Sequence, residues 1–220
     1  MGDVDANQAI ADLIIVGLVI YGTSLHEMGH AYVATWLGDP TPGRHGRLTW
    51  NPLPHLSPPM TAIVAPLIFY LTSRNLFCLA TTPIDPSKFR HPLRDHALVA
   101  GAGPCMNFLL MSALVGVCWI PGVMQYEPRP NFTTVILPWA ALWNLVLGVF
   151  NLMPVPPLDG YWISRGLLPL SLRRTTDGLA CHQGALFIAL VFGSILFRYV
   201  HAPVFKFFFV IMPAGFHFVY

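Results

Sequence analysis

The run from about Ala9 to Leu37, "AIADLIIVGLVIYGTSLHEMGHAYVATWL", constrains this chain more than any other stretch. A helix crosses the hydrocarbon core of a bilayer with about 20 predominantly apolar residues. This run is long enough, and Gly38-Asp39-Pro40 stops it. Comparable runs occur at about Ala97–Ile120, Val135–Met153, Gln183–Phe197 and Val204–Tyr220. Hydrophobic residues make up 55% of the chain and charged ones 10%, against about 25% charged in a soluble domain. Too little polar surface remains to face water, so the expectation is an integral membrane protein: all-α, polytopic, with five to six transmembrane helices.

The sixth candidate is "PPMTAIVAPLIFYLTSRNLFCLATTP". Its apolar run, Met60 to Leu71, is too short to cross, and Arg74 and Asn75 interrupt the apolar residues beyond it. Arg44 and Arg47 precede the segment and Lys88, Arg90 and Arg94 come after it; basic loops favour the cytoplasmic side. The segment Met60–Ala80 is therefore expected to re-enter as a hairpin, with a plain crossing as the alternative. The same rule puts the acidic N-terminus outside, the end of the first helix inside, and "PGVMQYEPRPNFTT" outside. The last two runs are expected to form a helical hairpin around "RYVHAP". The acidic leader "MGDVDANQ" does not read as a cleavable signal peptide. Cys78, Cys105, Cys118 and Cys181 lack paired spacing and read as small buried hydrophobes. A net charge of +2 without a basic run excludes nucleic acid as an expected partner.

Inside the first run lies "HEMGH". Residues four apart share a helix face, so His26 and His30 can turn imidazole nitrogens toward one metal ion, and Glu27 sits beside it as a base for a bound water. An acid at the centre of a membrane helix costs about 2.5–3.5 kcal/mol on insertion scales, a cost seldom met without function. A catalytic zinc takes three protein ligands, and Asp159 is the best-placed third. It lies just after Pro154, Pro156 and Pro157, which cannot continue a membrane helix, and precedes Gly160; a helix cap is its alternative role. Asn144 and Asn151, seven apart on the same helix, suit either an extended peptide backbone or ordinary interhelical hydrogen bonding. His26 lies about 15 Å from the inner end of its helix at 1.5 Å per residue, and the broken helix arrives from outside, so both ligand groups meet in the inner half of the bilayer.

These residues resemble the site-2 proteases, intramembrane zinc metalloproteases. The resemblance is carried by "HEMGH" at His26–His30, by "NLMPVPPLDG" at Asn151–Gly160, similar to that family's Asn-x-x-Pro-x-x-x-Leu-Asp-Gly signature, and by "AGPCMN" at Ala102–Asn107. It implies Zn2+ held by His26, His30 and Asp159, Glu27 as general base, and Asn151 holding the substrate strand or the oxyanion. It also implies an endopeptidase that cuts transmembrane segments of other membrane proteins, in the bacterial inner membrane, with its site toward the cytoplasm. The loop "GRHGRLTWNPLPHLSPP" is similar to that of small members without a PDZ domain, although Ser57 stands where these often carry an acid, so His55 and Ser57 receive no role. That short cytoplasmic-side loop, or β-ribbon, suits pairing of an unwound substrate with Gly43–Trp50. One domain is expected over residues 1–220, with its catalytic core at about 10–165 and the C-terminal hairpin at about 181–220. The alternative is a non-proteolytic subunit of a larger membrane complex that keeps the zinc site. A metal transporter fits less well, since no file of polar residues leads onward.

Overall fold

Nothing between Gly2 and Trp36 breaks a helix: there is no proline, and Leu, Ile, Val and Ala dominate. A single helix, α1, spans all 35 residues. The computed structural model describes residues 2–56, 80–121, 123, 136–169, 173, 177–178, 180 and 194–213; for 2–9, 11–12 and 194–201 it describes the backbone alone. The expectations for Met60–Ala80, apart from Ala80, lie outside the described residues. So do most of the outer loop and residues 183–193 of the run Gln183–Phe197.

Gly38 ends α1 by adopting φ +108°, a left-handed conformation that a side chain resists. The next residue, Asp39, is fully buried. Its carboxylate accepts the Thr41 amide at 2.9 Å and the Asp85 amide at 2.7 Å, stapling the end of α1 to the approach of the next long helix. Between them lie a four-residue helical turn, Thr41–Arg44, and a 3-10 turn, Leu53–His55. The amides of Arg44, His45, Gly46 and Arg47 bond to carbonyls of Pro40, Thr41, Pro42 and Gly43. Those amides cannot also serve a strand ladder, so of the two forms expected, loop or β-ribbon, the segment takes the loop. Among the described residues there is no strand, and the architecture is all-helical.

The second long helix, α2, runs Pro92–Cys118. Proline at its first position needs no amide partner there, and the Asp95 carboxylate accepts the His91 amide at 2.9 Å. Helix α3, Leu137–Asn151, ends where the prolines begin; α4, Asp159–Leu167, restarts beyond them. The last, α5, covers Ser194–Ile211. It passes straight through "RYVHAP", where a turn between two helices was expected. Only Pro203 argues against helix there, and a lone proline costs one backbone bond without forcing a turn.

Helix α2 is the hub, packed on α1, α3 and α4, while α5 lies against α3. One core cluster joins Met111 and Val115 of α2 to Leu142 and Leu145 of α3 and Phe208 of α5. Beside this apolar core lies a buried polar set, His26, Glu27, His30, Asn107 and Asn144, whereas Leu13, Leu109 and Val210 are 64%, 65% and 80% exposed. Among the described residues, α2 is the one helix long and apolar enough to cross a membrane by length and composition.

Candidate metal centre

His26 and His30 stand one turn apart on α1, edge to face with ring centroids 4.7 Å apart. Each ring is oriented by its Nδ1 atom: His26 meets Asn107 Oδ1 at 2.6 Å and His30 meets the Val99 carbonyl at 2.7 Å. Both partners come from α2 and both are acceptors, so each Nδ1 carries the proton. With Nδ1 so engaged, each ring turns its Nε2 to the other side. Those nitrogens face Asp159, the first residue of α4: His26 Nε2 lies 3.0 Å from Oδ2 and His30 Nε2 lies 3.4 Å from Oδ1.

Two imidazole nitrogens and a carboxylate thus converge on one another. Asp159 Oδ2 is buried with no hydrogen-bond partner, an unfavourable state that a cation relieves. Bonds of about 2.0–2.1 Å around tetrahedral zinc place ligand atoms about 3.3–3.4 Å apart, close to the spacing observed. The donor set, two histidines and one acid, is of the kind found in hydrolytic zinc sites. The residues present therefore fit Zn2+.

Glu27 stays close: a carboxylate oxygen and a nitrogen of each histidine lie within 4.8 Å of one another. Its Oε2 accepts the Thr82 hydroxyl at 2.7 Å, and that hydroxyl also lies 3.0 Å from the Glu27 carbonyl. Arg47, buried in the loop after α1, has an Nη1 without a hydrogen-bond partner. Burial lowers its guanidinium from the ordinary value while the Glu27 charge works the other way.

Helix α2 forms the wall opposite Asp159. Val99, Gly103 and Asn107 are spaced by four and lie on one face: a carbonyl, a gap and an amide, all turned toward the histidines. A Cβ on Gly103 would collide with Nε2 of both His26 and His30. Gly29 allows α1 to approach, since a Cβ there would lie 2.7 Å from Met106 Cγ and 2.9 Å from the Ala102 carbonyl. Asp159 is held by the restart of the chain. Gly160 tucks against the backbone of Leu152 and Met153, Gly166 against Ala97, and Trp162 stacks on His96 at 4.2 Å.

Of the five residues expected at the site, His26, Glu27, His30 and Asp159 come together. Asn151 ends α3 and donates back to the Leu147 carbonyl at 3.0 Å; among the described residues no hydrogen bond or ion pair joins it to the other four. Asn144, open between two roles in the sequence, makes the interhelical bond, to Asn107. Sequence reasoning did not anticipate the roles of Thr82, Gly103, Asn107 and the Val99 carbonyl. Glycine and asparagine four apart in an apolar helix were a usable signal for Gly103 and Asn107; Thr82, from a loop, had none.

Comparison with known proteins agrees with this geometry. The family model described as Peptidase family M50 matches residues 122–196, which include Asp159. The chain is 33% identical over 195 residues to "Putative zinc metalloprotease YwhC" of Bacillus subtilis, covering 86% of this chain and 84% of that protein. It is 30% identical over 152 residues to "Putative zinc metalloprotease Rip2" of Mycolicibacterium smegmatis, covering 68% of this chain and 54% of that one. Against the protein of the same name from Mycobacterium tuberculosis the identity is 29% over 185 residues, with 84% and 66% covered. No solved structure matches.

Proposed function

The chain belongs to peptidase family M50, the zinc metalloproteases of the site-2 protease type, and on that premise we propose that it hydrolyses peptide bonds within transmembrane segments of other membrane proteins. The zinc ligands in this reading are His26, His30 and Asp159, and the general base is Glu27. The observation that carries it is the convergence of two Nε2 atoms on a half-buried carboxylate whose Oδ2 is buried without a hydrogen-bond partner. In the same reading the chain is polytopic with five to six spans, sits in the bacterial inner membrane, and opens its site toward the cytoplasm.

Bound zinc supplies Lewis acidity, activating water and polarising a carbonyl. Glu27 takes the proton from the attacking water and returns it to the leaving amide nitrogen. Thr82 occupies Oε2 of Glu27, which fixes the carboxylate's rotation and leaves Oε1 to meet the water. Asp159 and the two histidines hold their positions through α2 and α4 rather than through loops, so the site is preorganised. Asn151, at the mouth of the proline turn, is the candidate for contact with an unwound substrate strand. The exposed apolar side chains and the low charge content support a lipid setting.

The test is zinc analysis and cleavage of a helical transmembrane substrate by the full chain and by Glu27→Gln. The reading expects stoichiometric zinc in both and cleavage in the parent alone. Zinc without cleavage in the parent, together with a stable co-purifying complex, would favour the accessory-subunit reading.

A further inference from the structure

We propose that Asn107 and Asn144 are positioning residues, an amide relay that sets which ring nitrogen of His26 bears the proton. The inference rests on the zinc reading above and concerns how the chain prepares one ligand for the metal. His30 needs no such device. Its Nδ1 meets the Val99 backbone carbonyl, which can only accept, so Nε2 is left as the lone-pair donor. His26 meets a side-chain amide instead. An amide has two ends of nearly equal size, and turned around it would offer NH2 to Nδ1. That reversal would favour the tautomer with the proton on Nε2, which cannot bind a metal there.

The second asparagine removes the ambiguity. Asn144 Nδ2 donates to the Ala140 carbonyl at 2.8 Å, and a backbone carbonyl has no donor form. Asn144 Oδ1 is therefore the end that faces α2, where it accepts Asn107 Nδ2 at 3.0 Å. Asn107 is left with Oδ1 toward His26, and Nδ1–H is the only group that satisfies it. Each step has one direction, from the α3 backbone to the α1 imidazole. Both amides are buried, at 1% and 3% exposure, so water does not compete. Room for the relay is cut into α1: a Cβ on Gly22 would lie 2.7 Å from Asn144 Oδ1. Hydrogen-bonding partners of this kind orient metal-bound histidines and raise their basicity, and removing one typically weakens metal affinity about 10–100-fold.

The experiment uses the full chain in detergent or nanodiscs. It combines zinc competition against a chelator, thermal unfolding, and 15N signals of labelled histidine in the zinc-free form. In the parent, His26 shows a protonated Nδ1 and a bare Nε2. Asn107→Leu shifts His26 toward the other tautomer and lowers zinc affinity by about 10–100-fold, with His30 signals unchanged. Asn107→Asp keeps an acceptor for His26 while setting an oxygen against Asn144 Oδ1, so it loses thermal stability yet retains zinc affinity. Asn144→Leu frees the Asn107 amide to turn and gives a smaller loss; it carries the test should Asn107→Leu fail to fold. A purely structural role would make zinc affinity follow stability across the variants, and that result overturns the relay. So does an Asn107→Leu protein with parental His26 signals and affinity. Absence of zinc binding by the parent would count against the zinc-peptidase reading instead, and the tautomer signals would still decide the relay.

Discussion

Gly103 has no room for a side chain, because the space a Cβ would fill is already taken by the metal-facing nitrogens of His26 and His30. Gly103→Ala is expected to displace one imidazole; overpacking of this kind costs about 1–3 kcal/mol, or roughly a 10–100-fold loss of zinc affinity at 1.4 kcal/mol per tenfold, read by chelator competition. Glu27→Gln preserves shape and removes the carboxylate proposed as the base. Cleavage is expected to fall by about 10²–10⁴-fold with zinc content unchanged, read by substrate cleavage alongside metal analysis. Thr82→Val removes the hydroxyl from Glu27 Oε2. A lowered kcat with an unaltered zinc content is the expected outcome, and loss of zinc as well would mean that Thr82 acts on the metal site as a whole. These residues were unequally legible. His26, Glu27 and His30 announce themselves because ligand spacing is local along one helix. Thr82 is 55 residues from the carboxylate it touches, and no local pattern connects them.

At the scale of elements, Asp39 joins pieces that are distant in sequence. Its two oxygens accept the Thr41 and Asp85 amides, tying the end of α1 to the turn before α2. Asp39→Ala leaves amides without an acceptor in a largely buried spot, which costs about 1–3 kcal/mol per group. A lowered thermal midpoint with retained zinc stoichiometry is expected. The neighbouring cap is pH-sensitive in a known direction: the Ser87 hydroxyl, then Lys88, hold the Asp85 carboxyl below the usual carboxylate range. Its contribution is present at neutral pH and fades as pH falls through that lowered value. Helix positions were readable from apolar runs to within two residues for α3, whereas α1 and α2 start seven and five residues before their expected starts. The turn expected at "RYVHAP" was not found, since α5 runs on through Pro203. A proline signals a break only when its surroundings also favour one, and the triple proline before Asp159 meets that condition where Pro203 does not.

Across the whole molecule, the site bridges elements that the chain itself does not hold together: α1 supplies two histidines, and α4, beginning more than a hundred residues later, supplies the acid. A zinc ion held there, as proposed, would act as a cross-link, and ligand linkage would stabilise the folded state by about 4 kcal/mol when free zinc is a thousandfold above Kd. Chelation is therefore expected to lower the unfolding temperature as well as abolish cleavage, and added Zn2+ to restore both. An unfolding temperature indifferent to chelator would show that the ion carries no structural linkage. The exposure of Leu109 and Val210 beside the buried Asn107 and Asn144 is the whole-molecule counterpart of the low charge content.

The sequence by itself determined the helical class, the apolar exterior, the paired histidines with their adjacent acid, and the break that delivers Asp159. All of these are written in spacing, composition or proline chemistry, which act over a few residues. Only the tertiary structure decided what stands around them: Val99, Gly103 and Asn107 as the opposing wall, Thr82 on Glu27, the Asn144–Asn107 relay, and a turn-rich loop in place of a ribbon. Those depend on which helix faces approach one another and on the direction in which each hydrogen bond runs. Neither is a property of any short stretch of chain.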